Sequence, residues 1–204
     1  MLFLNKTKNG LGFTPSNFLK KNLGGFTLIE LSIVVSIILI LSTVVLANYS
    51  AGQKELALSR SIYKLAQDLR IAQELAMSTK DFGSPPSPPR GGYGIKFNVS
   101  EPNHYILFAD CDGGKDYDVT GSAISCFQAT SALSYPELVQ DISIEKDVKI
   151  YSLSTPGNNL IVTFTSPNPD VYFTPDSSLV IITLSANGKQ KSVKVNKAGL
   201  IDIE

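Results

Sequence analysis

At 204 residues the chain has room for one ordinary domain plus an appendage, and enough length to bury a real core. Its 18 basic and 18 acidic residues cancel, so bulk charge points neither to a nucleic-acid binder nor to an acidic, solvating chain. The balance conceals an asymmetry: Lys6, Lys8, Lys20 and Lys21 precede Gly25 and every acid follows it, so loss of residues 1–25 would leave the remainder net acidic.

From Phe26 to Ala47 the chain reads FTLIELSIVVSIILILSTVVLA, about the 20 residues a helix needs to cross a bilayer. Its Ile and Val content is no obstacle, because in lipid only a helix or a closed barrel satisfies the backbone. Lys20 and Lys21 lie just before the span, and no charge follows it until Lys54. The positive-inside rule then keeps the N-terminus cytoplasmic and places the bulk of the chain outside. An ordinary secretory signal puts its cleavage site after the apolar run. Here the order is inverted, for Gly24-Gly25 ends the basic segment and the apolar run begins afterwards. Cleavage after Gly25 would therefore keep the apolar helix as the new N-terminus; the plainer alternative is a signal anchor with a chance Gly-Gly.

Glu30 stands inside the span. A carboxylate there costs about 2.5–3.5 kcal/mol on insertion scales and calls for a partner. No basic side chain lies within the span, so the nearest candidate is a new α-amino group on Phe26, or that group on a neighbouring copy. A residue four places into a helix points away from its own terminus, which favours the neighbour. The competing account has Glu30 hydrated near the headgroups.

The string Lys20-Lys21-Asn22-Leu23-Gly24-Gly25-Phe26-Thr27-Leu28-Ile29-Glu30-Leu31 resembles the processing signal of type IV pilins and type II secretion pseudopilins. Several residue types are set within a short window beside a membrane helix, which makes the resemblance specific. It covers residues 20–80; beyond them only the architecture matches, with a C-terminal pattern closest to minor pilins and pseudopilins of the H type. The resemblance implies cleavage between Gly25 and Phe26 by a prepilin peptidase, N-methylation of Phe26, and a role in filament assembly for Glu30. Implied partners are other pilin or pseudopilin subunits and an inner-membrane assembly platform. The implied location is the cytoplasmic membrane, with the globular domain outside, and then a pilus or pseudopilus filament.

The resulting organisation is a leader over 1–25, a long helix over 26–80 with its membrane and filament-core part at 26–47, a Pro/Gly linker over 81–92, and a β-rich extracytoplasmic domain over 93–204. Past the membrane, Leu58, Ile62, Leu65, Leu69, Ala72 and Ala76 recur at spacings of four and three, one apolar stripe fit to lie on a sheet. The run from Asp81 to Gly92, with prolines at 85, 86, 88 and 89, ends the helix and favours an extended segment. Strands are predicted at 93–98, 104–109, 142–144, 148–153, 160–165, 179–184, 192–195 and 200–203. Asn187-Gly188 and Ala198-Gly199 supply tight turns. Consecutive strands with short turns make an antiparallel sheet, and one long helix followed by such a sheet is an α+β, pilin-like fold.

Asp110, Asp112, Asp116 and Asp118, interspersed with Gly113 and Gly114, could wrap oxygens around Ca²⁺. A solvated Asp/Gly turn explains the stretch equally well, and the spacing is not that of an EF-hand. Cys111 and Cys126, outside the membrane, suit a disulfide closing a loop of about 15 residues, worth about 3 kcal/mol by chain entropy. Two cysteines and the distant His104 do not complete a zinc site. Catalysis has no support, for nothing assembles a nucleophile, a base and an oxyanion site, and His104 reads as a strand histidine. A rival function is a filament-tip subunit that captures DNA or a surface ligand through Lys189, Lys191, Lys194 and Lys197. Lysines on an exposed sheet edge also prevent edge-to-edge aggregation, and that explanation is sufficient.

Overall fold

The computed structural model describes residues 25–83, 86–118, 137–166 and 170–204, with no side-chain account of residues 47, 48, 50 and 51. Its one described helix, α1, runs over Leu28–Met77. Thr27 caps it, for its Oγ1 accepts the Glu30 amide at 3.2 Å and its carbonyl accepts the Leu31 amide at 3.1 Å. That satisfies one of the donors a helix start leaves unpaired. The other end closes before the prolines expected to stop it. The Lys80 amide bonds the Leu75 carbonyl at 3.1 Å and the Thr79 amide bonds that of Ala76 at 3.0 Å. With Thr79 left-handed at φ 46°, this is a Schellman closure. A glycine would have advertised it; a threonine does not.

The chain divides into two compact units, residues 1–44 and 45–204. In the first, every described side chain is exposed. In the second, the predicted stripe is the helix's buried face: Leu58, Ile62, Leu65, Leu69, Ala72 and Ala76 are all at most 2% exposed. They share one core with Ile95, Phe97, Leu107, Val162, Ile182 and Val193 from the strands. The Tyr105 hydroxyl donates to Asp68 Oδ2 at 2.5 Å, tying the polar flank of the helix to the same sheet. Leu65→Ala is expected to cost about 2–5 kcal/mol, the range for truncating a buried leucine. Thermal unfolding of the full chain in detergent checks this, and an unchanged melting temperature would contradict the packing.

Nine strands follow among the described residues: β1 Gly92–Asn98, β2 His104–Asp110, β3 Leu138–Ser143, β4 Lys149–Leu153, β5 Asn159–Phe164, β6 Val171–Thr174, β7 Leu179–Ala186, β8 Lys189–Asn196 and β9 Ile201–Ile203. They form two antiparallel sheets, ordered β3-β2-β1-β5-β6 and β4-β7-β8-β9, where one had been expected. The split arises because β5 pairs with β1 instead of with its sequence neighbour β4. Hairpin signals report only neighbours in sequence and are blind to that pairing. The β1–β2 turn links the sheets, its Pro102 carbonyl accepting from the Ile150 amide of β4 at 2.9 Å.

Strand β6 lies in the proline-rich stretch SPNPDVYFTP and was not predicted. Among the described strands it pairs only with β5, at the sheet edge, where flanking prolines cost no ladder bond. The turn before β8 is as predicted: Asn187 at φ 50° and Gly188 at φ 76° give two consecutive left-handed residues, the type I′ hairpin geometry.

Candidate functional site

Two regions carry chemistry, one at the start of the described chain and one at the end of β2. In the first, Gly25 precedes the helix, and a side chain built there would meet nothing within 4 Å. Phe26 is 84% exposed, so the bond between them is accessible. The nineteen residues Leu28–Leu46 are long and apolar enough to cross a membrane. Three of the four hydroxyls within that stretch donate to carbonyls one turn back in the helix. Ser32 donates to the Ile29 carbonyl at 2.8 Å, Ser36 to that of Ser32 at 2.8 Å, and Thr43 to that of Ile40 at 2.7 Å. A helix entering lipid must close its own polar groups in this way. Glu30 differs: no hydrogen bond or ion pair engages its carboxylate among the described residues.

In the second region, Asp110 and Glu137 are fully buried and stand with Asp112 in a group whose carboxylate oxygens lie within 4.8 Å of one another. The loop after β2 is built around them. Asp110 Oδ1 accepts the Gly113 amide at 2.7 Å and its Oδ2 the Lys115 amide at 2.8 Å. Glu137 Oε1 accepts the Cys111 amide at 3.0 Å and its Oε2 the Asp118 amide at 2.9 Å. Asp112 Oδ1 accepts the Gly114 amide at 2.7 Å. Gly91 is required beside this group, for a Cβ there would fall 1.7 Å from Asp110 Oδ2.

Electrostatics set these acids apart. Burial, reinforced by Asp112, pushes the Asp110 carboxyl up to about 6 despite its two amide donors. Burial likewise pushes Glu137 up to about 7, with Asp110 and Asp112 adding to the effect. Asp118 is raised in the same direction by burial and by Asp116 and Asp112. Three clustered carboxylates offer hard oxygen donors, the set that suits Ca²⁺ or a similar divalent cation.

Of the four aspartates read as candidates, Asp110 and Asp112 stand in this group, whereas Asp116 and Asp118 flank it. Glu137 was missed, and no local pattern marks it. It is delivered by the pairing of β3 with β2, where its carbonyl accepts the Ala109 amide at 2.9 Å. Cys111 is buried and disulfide-bonded. Cys126, the only other cysteine in the sequence, lies outside the described residues.

The four C-terminal lysines all have partners. Lys189 pairs with Glu55 at 2.5 Å, Lys191 donates to Ser59 Oγ at 3.1 Å, Lys194 pairs with Glu204, and Lys197 pairs with Asp176 at 2.8 Å. Two of them bridge to α1, so this hairpin is a strut as much as a surface. His104 lies in β2 with Glu101 at 3.5 Å, and no nucleophile is placed against it among the described residues.

Residues 20–46 match the family model for the prokaryotic N-terminal methylation motif. Comparison with curated proteins and with solved structures returned no match. The matched segment includes Gly25, Phe26 and Glu30 and extends to the end of the apolar stretch. Over that segment the chain resembles type IV pilins and pseudopilins, and its fold is α+β, a long N-terminal helix with antiparallel β-sheets.

Proposed function

We propose that this chain is a structural subunit of a type IV pilus or type II secretion pseudopilus, made as a precursor and assembled through its N-terminal helix. The reading rests above all on one juxtaposition: a Gly–Phe bond directly before an apolar helix that carries a single acid, Glu30, within the matched motif. A prepilin peptidase removes residues 1–25 and methylates the Phe26 amine. The apolar helix then holds the subunit in the cytoplasmic membrane, domain outside, until the assembly platform draws it into the filament. There Glu30 meets the terminal amine of a neighbour, an ion pair that sets the stagger between helices otherwise able to slide on apolar contacts.

Outside the membrane, the Cys111–Cys126 disulfide anchors the loop after β2, and Asp110, Asp112 and Glu137 would hold a divalent cation that neutralises their shared charge. The DNA-capture alternative has no observation in its favour, since its four lysines already have acceptors.

Intact-mass measurement of the native protein tests processing. The expected species begins at Phe26 and carries one added methyl group. Gly25→Leu is expected to leave the full precursor in the membrane, because a bulky residue replaces the small one at the cut. Mature protein beginning at Met1, or lacking the whole apolar helix, would overturn the reading.

A further inference from the structure

Just beyond the apolar stretch, α1 presents Tyr49, Gln53, Lys54, Ala57 and Arg60, which with the turn between β3 and β4 line a groove of about 480 Å³. Asp147, left-handed at φ 70°, shapes that turn. Arg60 holds it to the helix through a two-pronged contact with Glu145, Nε to Oε1 at 2.9 Å and Nη2 to Oε2 at 2.8 Å. That pair adds no net charge to the groove. Lys54 and Lys146 are different, for neither makes a hydrogen bond or ion pair among the described residues. Lys54 is half-buried and Lys146 exposed. Asp147 offsets one of the two, which leaves the groove with one net positive charge.

Position along the helix gives this charge its meaning. The apolar stretch ends at Leu46. At about 1.5 Å per residue, Tyr49 follows about 4–5 Å and Lys54 about 12 Å beyond it. Each headgroup layer is roughly 5–8 Å deep, and aromatic rings favour its inner boundary. Tyr49, 63% exposed, would stand within that layer, and a helical side chain leans toward the N-terminus, which brings its ring back to the inner boundary. Lys54 would lie just past the layer, where a long side chain reaches back while its stem stays on the protein.

We propose that this groove docks the headgroup of an anionic phospholipid, its phosphodiester held between Lys54 and Lys146 and Tyr49 at the acyl boundary. The inference rests on the membrane-anchored reading above and adds to it a seat for the domain on the outer membrane surface before assembly. Extraction into a filament would then have to break this seat as well as withdraw the helix.

The test places the full chain in lipid nanodiscs of phosphatidylcholine, alone or mixed with phosphatidylglycerol, and measures amine labelling of each lysine by mass spectrometry. Lys54 and Lys146 are expected to react roughly fivefold more slowly in the anionic discs, the effect of one lysine at a charged surface. Lys80, exposed at the far end of the helix, serves as the unaffected reference. Equal labelling in the two discs overturns the proposal. Protection by inorganic phosphate in zwitterionic discs would make the groove a free-anion site instead. Protection that follows the number of protein copies per disc, whatever the lipid, would assign it to a second copy. Failure of the chain to remain in the discs overturns the anchored reading itself, whereas retention without protection overturns only the groove.

Discussion

Glu30→Val is expected to leave membrane insertion intact or improved while reducing filament incorporation at least tenfold, the cost of losing roughly 1.4 kcal/mol or more per subunit contact. The two effects have opposite signs because they weigh the same carboxylate in different settings. A carboxylate at the centre of a span costs about 2.5–3.5 kcal/mol and less near its end, where Glu30 stands, and valine removes that cost. Against a neighbour's amine, in the assembly proposed above, the carboxylate would supply a directional contact on a helix whose other exposed side chains are mostly Ile, Leu and Val. Glu30→Gln keeps the size, and the Thr27 cap acts on the backbone amide and so survives the change. If charge pairing is the role, glutamine fails nearly as badly as valine; if hydration or shape is the role, glutamine assembles. Immunoblots of sheared filament and membrane fractions separate the outcomes, and normal incorporation of both variants would remove the ion pair from the account.

Calcium at about 1 mM is expected to raise the melting temperature of the full chain in detergent by about 5–10 °C. That corresponds to a cation near 100 times its dissociation constant, about 2.7 kcal/mol, at about 2–4 °C per kcal/mol for a chain of this size. Asp110→Asn and Glu137→Gln should each remove most of the shift. The pH dependence supplies an independent reading. In the unfolded chain both acids ionise near their ordinary values, 3.8 and 4.5, whereas in the folded, cation-free chain they hold protons up to about 6 and about 7. Between those limits the folded form binds more protons, so its stability falls as pH rises through about 4 to 7. Without calcium the melting temperature should therefore be higher at pH 5 than at pH 8, and saturating calcium should abolish or reverse that difference. A calcium-independent melting temperature at both pH values would return the cluster to the status of a turn.

How much was legible beforehand divides along a physical line. The apolar stretch and the methylation motif that overlaps it could be read because each is a short contiguous string. The buried stripe from Leu58 to Ala76 was legible for a related reason: a helix brings residues three and four apart onto one face without help from the rest of the chain. The cluster after β2 was half legible. Asp110 and Asp112 stand in one loop, but Glu137 reaches them only across the β2–β3 ladder.

What the amino-acid sequence determined by itself is thus everything governed by local geometry: the apolar helix, the methylation motif that overlaps it, the single acid within the apolar stretch, and the turn at Asn187-Gly188. Tertiary structure alone decided the division into two sheets, the edge strand β6, the entry of Glu137 among the aspartates and the engagement of the lysine hairpin with α1. Each of these depends on contacts between residues far apart in the chain. Their free energy comes from burial and pairing in the assembled domain, so no short window of sequence records it.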